Sequence, residues 1–162
     1  MLFSGQHMLT ATEPFRQLLA GIDFRGRIVL EVGVGTGVIT QMVLDRGPER
    51  VIGYEIDPTL CQLSSAALEL HIGDFRDVTL PLLDARHGLV SAPPYDLLDL
   101  LVPLVSGPRA PIHDAILMIS EKHFSLFPEF ELAFTLAPTD FRPPTRPTSH
   151  LVIRKGFRSP TR

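Results

Sequence analysis

The sequence predicts an α/β fold with a mostly parallel sheet, and three observations lead there. Apolar runs of strand length alternate with stretches of helical periodicity from Glu13 to Ile119. A glycine-rich turn, Gly33 to Gly37, lies between the first such run and a helical stretch. Acidic residues, Glu55 and Asp74, close the next two runs. Strands that alternate with helices pair in parallel and are covered on both faces, and such sheets gather ligands at the carboxyl ends of their strands.

Taken in order, Glu13 to Ile22 carries Phe15, Leu18, Leu19 and Ile22 at helical spacing. Arg27 to Val32 reads as a buried strand, and Val38 to Arg46 as a helix with Val38, Ile39, Met42, Val43 and Leu44 inward, stopped by Gly47-Pro48. Arg50 to Ile56 is a second strand. Asp57-Pro58 suits a helix start, since aspartate caps and proline fits the first turn, so a helix is expected to about Leu68. Glu69 to Ile72 and Gly88 to Ser91 are the third and fourth strands. Tyr95 to Val105 is a leucine-dense helix and Ala115 to Ile119 a fifth strand. Glu131 to Leu136 and His150 to Arg154 form a closing pair, joined by the proline-rich loop Pro138 to Pro147. With no long helix between them they make a hairpin, which places one antiparallel strand near the C-terminal end. No repeat, linker or second domain interrupts the pattern, so residues 1–162 are expected to form a single domain.

Composition narrows the classes. The chain has 162 residues, is 44% hydrophobic and 20% charged, and carries a net charge of −3. No apolar run approaches the roughly 20 residues that span a bilayer, and Met1 to Thr12 lacks the features of a secretory signal. No membrane association is expected. One cysteine, Cys61, forms no internal disulfide, and no Cys/His cluster has zinc-ligand spacing. A reducing, cytoplasmic setting and no metal are therefore expected. From Phe141 onward the charged residues are all basic: Arg142, Arg146, Arg154, Lys155, Arg158 and Arg162. That segment fits contact with phosphates or a solvated basic tail.

The chemistry concentrates in Glu31-Val-Gly-Val-Gly-Thr-Gly37. Glycines permit a tight turn and close approach of a ligand to backbone, and a helix start offers N–H groups. The Gly33, Gly35, Gly37 spacing is not the Gly-x-Gly-x-x-Gly of dinucleotide sites. Glu55, at the end of the second strand, suits the two hydroxyls of a ribose. Asp74 suits an adenine amino group, with Phe75 beside it to pack on the ring. The whole is a Rossmann-like nucleoside site.

Five ordered motifs resemble those of the rRNA adenine dimethyltransferase family, which includes the small-subunit rRNA dimethylases and the macrolide-resistance methylases. They are Gly5-Gln-His-Met-Leu9, Val29 to Thr40, Glu55-Ile-Asp57, Gly73-Asp-Phe75, and Phe141-Arg-Pro-Pro144 with Arg146 to Val152. The resemblance implies a class I methyltransferase domain that binds S-adenosylmethionine. It implies that Gln6, His7 and Leu9 close over the methionine end and that Gly33 and Gly35 lie against it. Glu55 then holds the ribose, and Asp74 and Phe75 the adenine.

Two departures stand out. Where the family has Asn-(Leu/Ile)-Pro-(Tyr/Phe), this chain has Ser91-Ala-Pro-Pro-Tyr95, with Ala92 in place of the asparagine that orients the target amine. The backbone carbonyls of Ala92 and Pro93 remain as acceptors and Tyr95 as a stacking platform. The family's C-terminal helical domain, which helps to grip RNA, is expected to be absent. Three functions stay open: methylation of adenine in RNA, methylation of a small molecule or protein side chain, and cofactor binding without catalysis. The methyl acceptor and the oligomeric state are not legible.

Overall fold

The computed structural model describes residues 6–154. Among them, a seven-stranded sheet forms from β2 (Ile28–Val32), β3 (Arg50–Glu55), β4 (Leu68–Ile72), β5 (His87–Ser91), β6 (Asp114–Ser120), β7 (Phe130–Leu136) and β9 (Ser149–Arg154). Its order is β4-β3-β2-β5-β6-β9-β7. The first five strands pair in parallel, and β9 runs antiparallel between β6 and β7. The expected α/β sheet with one antiparallel strand near the C-terminal end is therefore present.

Neighbouring residues of each strand point to opposite faces, and both faces are apolar. Val29, Val51, Val90 and Ile116 bury against α1 (Glu13–Ala20) and α2 (Val38–Leu44) through Phe15, Leu19 and Val43. Leu30, Ile52, Leu89 and Leu117 bury on the other face with Leu98, Leu101 and Val105 of α3 (Leu98–Val105).

Several local expectations are corrected. No helix follows Asp57. Its carboxylate accepts from the N–H of Thr59 at 2.9 Å and from the Thr59 hydroxyl at 2.6 Å. Such a bond turns the chain locally and competes with helix nucleation; residues 57–67 form turns and irregular chain. In α2, Val38 faces solvent and Thr40 is buried in its place. The Tyr95 to Val105 segment opens as a 3-10 turn, Tyr95–Leu97, before the α-helix begins. The proline-rich loop contains a strand, β8 (Phe141–Arg142), that pairs antiparallel with β1 (Met8–Leu9). The first and last motifs thereby meet.

The basic end also changes meaning. Arg154 donates to the carbonyls of Val105 at 2.9 Å and Ile112 at 2.6 Å, so it tethers the end of α3 and the approach to β6 and is not presented to phosphates. Arg142 and Arg146 are exposed, and Lys155, Arg158 and Arg162 lie outside the described residues. Replacing Arg154 with Met strands two carbonyls, and urea unfolding is expected to show a loss of about 1–3 kcal/mol, the range for buried bonds to a charged donor. Unchanged stability would show that water replaces the guanidinium there.

Candidate active site

The chain order of the sheet reverses between β2 and β5, which is where crevices form in such folds. Their backbone pairing runs from Ile28–His87 to Leu30–Leu89 and then stops. Beyond it, the buried Ser91 hydroxyl donates to the Val32 carbonyl at 2.5 Å and accepts from the Val32 N–H at 3.3 Å. The strands then part, one into the glycine loop and the other into Ala92 to Tyr95. A cavity of about 610 Å³ opens between them, within the range of small-molecule sites.

All the residues expected to act at the site line this cavity: Gln6, His7 and Leu9; Gly33 and Gly35; Glu55, Asp74 and Phe75; and Ala92, Pro93 and Tyr95. Gly33 and Gly35 take φ of 79° and 58°, a left-handed conformation natural to glycine. A Cβ at Gly33 would lie 2.9 Å from Pro94 Cδ, and one at Gly35 2.9 Å from Met8 Cε. At Gly33 the space is closed to a larger residue, while at Gly35 the Met8 methyl can yield and the left-handed backbone is what favours glycine. Four of the loop's amides are engaged within the protein: Gly33 and Val34 donate to the Tyr54 carbonyl, Gly37 to that of Val34, and Gly35 to Glu55. The glycines therefore act by allowing close approach.

Glu55 is almost fully buried, with Oε2 accepting from Gly35 N at 2.7 Å and Oε1 from Asp57 N at 2.9 Å. A carboxylate has about four acceptor positions, so this fixed group retains capacity for two donors. Asp74 caps a 3-10 turn, Phe75–Asp77, by accepting from Arg76 N at 2.9 Å. That bond and the adjacent guanidinium hold its carboxyl below the usual range. Phe75 is buried and meets Tyr54 edge-on at 5.2 Å between centroids.

At the other end, the Tyr95 hydroxyl bonds to Ser149 Oγ at the start of β9. Burial raises the Tyr95 pKa, and the serine bond opposes that rise. The Ala92 carbonyl lies 3.7 Å from where a Gly33 Cβ would stand, at the seam of the two loops. The mouth is framed by the β1–β8 ribbon. His7 Nδ1–H donates to the Pro143 carbonyl at 2.8 Å, and Thr10 N and Oγ1 both donate to the Asp140 carbonyl, at 2.8 and 2.9 Å. Among the described residues no group of three or more His, Cys, Asp or Glu is placed to hold a metal, and no helix is long and apolar enough to cross a membrane.

Sequence reasoning passed over four groups here. Ser91 and Ser149 are ordinary serines until their partners are known. Arg76 lines the cavity and bridges Asp74 and Asp96. Glu31 was read only as part of the loop motif. It is buried, with Oε2 accepting from Thr40 Oγ1 at 2.6 Å and Oε1 without a partner.

No family model matches the chain. It is 36% identical over 95 residues to a probable ribosomal RNA small subunit methyltransferase A of Methanospirillum hungatei, covering 59% of this chain and 36% of that protein. It is 30% identical over 128 residues to ribosomal RNA small subunit methyltransferase A of Thermosynechococcus vestitus, covering 73% and 48%. The chain thus spans about a third to a half of the length of these relatives. A dimethyladenosine transferase from Plasmodium falciparum superposes with a TM-score of 0.69 at 20% identity, covering 91% of this chain and 62% of that one. Fold and sheet order are those of a Rossmann-like α/β domain, shared with that structure. Within that class, the chain is a relative of the rRNA adenine dimethyltransferase family.

Burial raises the Glu31 pKa from 4.5 to about 8; the Thr40 bond opposes the rise, and the Glu55 charge adds to it. The folded state therefore keeps a proton that the unfolded chain releases near pH 4.5. Stability is expected to fall as pH rises from about 5 to about 8, and to level off above that. Glu31→Gln, uncharged throughout, removes this slope in urea unfolding at pH 5, 6.5 and 8. Equal slopes in the two proteins would show that Glu31 does not titrate in that window.

Proposed function

We propose that the chain is an S-adenosylmethionine-dependent methyltransferase whose acceptor is a planar amine. Adenine in RNA is the acceptor favoured here, since the two relatives above are named ribosomal RNA methyltransferases and the superposed structure a dimethyladenosine transferase, while other relatives are named ribosomal protein L11 methyltransferases. One observation carries the reading: the glycine cradle, Glu55, Asp74 and the Ala92–Tyr95 turn border a single cavity at the sheet's switch point.

The groups present fit that cofactor. Glu55, anchored by two backbone N–H groups, directs its remaining acceptor positions to the ribose hydroxyls. Asp74 accepts from the exocyclic amine of adenine, with Phe75 beside the ring. Gly33 and Gly35 admit the methionine portion, and Gln6, His7 and Leu9 close over it. When bound, the cofactor supplies a methyl group already activated on a sulfonium.

What remains for the protein is alignment, which by itself is a large share of the acceleration of such reactions. Tyr95 offers a face for the acceptor ring and is held by Ser149. The carbonyls of Ala92 and Pro93 accept hydrogens of the amine and aim its lone pair. Ala92 lacks the side-chain amide that would add a second oriented acceptor. Loss of one such preorganised group costs about 10²–10³ in rate, by analogy with oxyanion-hole donors.

Calorimetry with S-adenosylhomocysteine tests the cofactor site: Glu55→Ala should weaken binding by about 1–3 kcal/mol, and Asp74→Ala should weaken it as well. Unchanged affinity in both would overturn the assignment. Tritiated methyl transfer to ribosomal RNA, protein and metabolite fractions tests the acceptor end. Tyr95→Ala should abolish transfer with cofactor affinity kept, and Ala92→Asn should raise transfer to RNA. Label entering only protein or metabolites would reject adenine as the acceptor.

A further inference from the structure

Arg76 stands between the two ends of the cavity. Its NH1 lies 3.2 Å from Asp74 Oδ2 and 3.3 Å from Asp74 Oδ1, and its NH2 donates to Asp96 Oδ2 at 2.5 Å. Asp74 belongs to the turn after β4, and Asp96 to the 3-10 turn that carries Tyr95. All three charged residues line the cavity. Below them, Phe75 and Leu97 are buried in one apolar cluster on which Tyr95 packs. The two loops, 20 residues apart in sequence, are joined by an apolar contact beneath and a charged one above.

The glycine loop does not make this link. Its bonds run to Tyr54 and Glu55 on β3. The acceptor turn has two internal backbone bonds, Leu97 N to the Pro94 carbonyl at 3.0 Å and Leu98 N to the Tyr95 carbonyl, and its side chains are fixed by Ser149 and Arg76. Serine fixes the tyrosine hydroxyl; arginine holds the side-chain carboxylate of the next residue, Asp96. A guanidinium suits the task, since it is planar, permanently charged and presents several donors in a rigid fork. Both carboxylates draw on one cation, so whatever occupies Asp74 alters how firmly Asp96 is held.

We propose that Arg76 is a positioning residue: a clasp through which occupancy of the adenine end at Asp74 is passed to the acceptor turn that carries Tyr95. This rests on the cofactor reading above. An adenine amine that donates to Asp74 displaces NH1 from that carboxylate. The guanidinium then turns wholly to Asp96, and the turn tightens around the place where the acceptor ring lies. Cofactor loading thereby prepares the acceptor face.

The test is amide hydrogen exchange of residues 95–98 in the wild type, Asp96→Asn, Arg76→Gln and the double variant, each with and without S-adenosylhomocysteine. Asp96→Asn is the clean variant, because it leaves Asp74 and the cap bond from Arg76 N intact. Without ligand, each single variant should exchange about two- to fivefold faster at 95–98, the range for a half-exposed ion pair, with β2 and β5 unchanged. The double variant should be no faster than either single one. S-adenosylhomocysteine should slow exchange at 95–98 in the wild type and leave Asp96→Asn unaffected, while its affinity by calorimetry changes less than about twofold in that variant. A merely structural bond would not remove the response to ligand. Equal slowing in the wild type and Asp96→Asn would overturn the clasp. Absence of ligand binding to the wild type would overturn the cofactor reading instead, and the comparison without ligand would then decide whether Arg76 holds the turn.

Discussion

Two central strands, β2 and β5, exchange backbone hydrogen bonds up to Leu30 and Leu89 and then separate, and a single hydroxyl, that of Ser91, spans the gap to both polar groups of Val32. Buried backbone groups left without partners are costly, so strands in a dry core part only where something replaces the ladder. Ser91 provides the replacement in one side chain. It lets the backbone of β2 turn into the glycine cradle while that of β5 turns the opposite way toward Tyr95. The cavity is the space between the two departures. Gly33, Gly35, Glu55, Asp74, Phe75 and Ala92 to Tyr95 hang from the carboxyl ends of the strands around this fork, while Gln6, His7 and Leu9 come from the rim at β1.

The electrostatics of the fork follow from burial. Glu31 and Glu55 both lie near the glycine loop and are almost fully buried. Glu55 accepts from two backbone N–H groups, those of Gly35 and Asp57. Glu31 has one hydroxyl donor and a bare oxygen, and its environment favours the protonated form. Burial is the main cause of that preference, and the neighbouring Glu55 adds to it. Of the two, Glu55 is the one that lines the cavity.

What the sequence made legible was chemistry carried by neighbouring residues. Gly33 and Gly35 after an apolar strand, Glu55 at the end of the next, and Gly73-Asp74-Phe75 could be placed because strand, turn and acid are contiguous, and the sheet brings them together by its own rules. What stayed hidden was set by distant partners. Nothing near Asp57 says that its carboxylate will bend toward Thr59 instead of starting a helix, since the same residue serves both ends. Arg154 looked like one more cation of a basic tail until its two carbonyl partners, 42 and 49 residues away, were seen. Ser91 and Val32 are 59 residues apart. The two-residue strands β1 and β8 have no periodicity to read, and each exists only because the other does.

That last pairing bears on the order in which the molecule assembles. Thr10 and Asp140, which hold the ribbon together, are 130 residues apart, whereas Gly33 through Asp74 fall within a short stretch of chain. Closing a longer loop adds entropy cost slowly, about 0.6 kcal/mol for each doubling, but contacts of wide separation form late because that cost precedes any gain. On a ribosome the residues of the cradle emerge well before Phe141 does. The floor of the cavity is thus built early from local crossovers, and its rim waits for a segment synthesised well after Asp74. During synthesis the cavity exists first as an open trough and acquires its mouth only when Phe141 and Arg142 arrive to meet Met8 and Leu9.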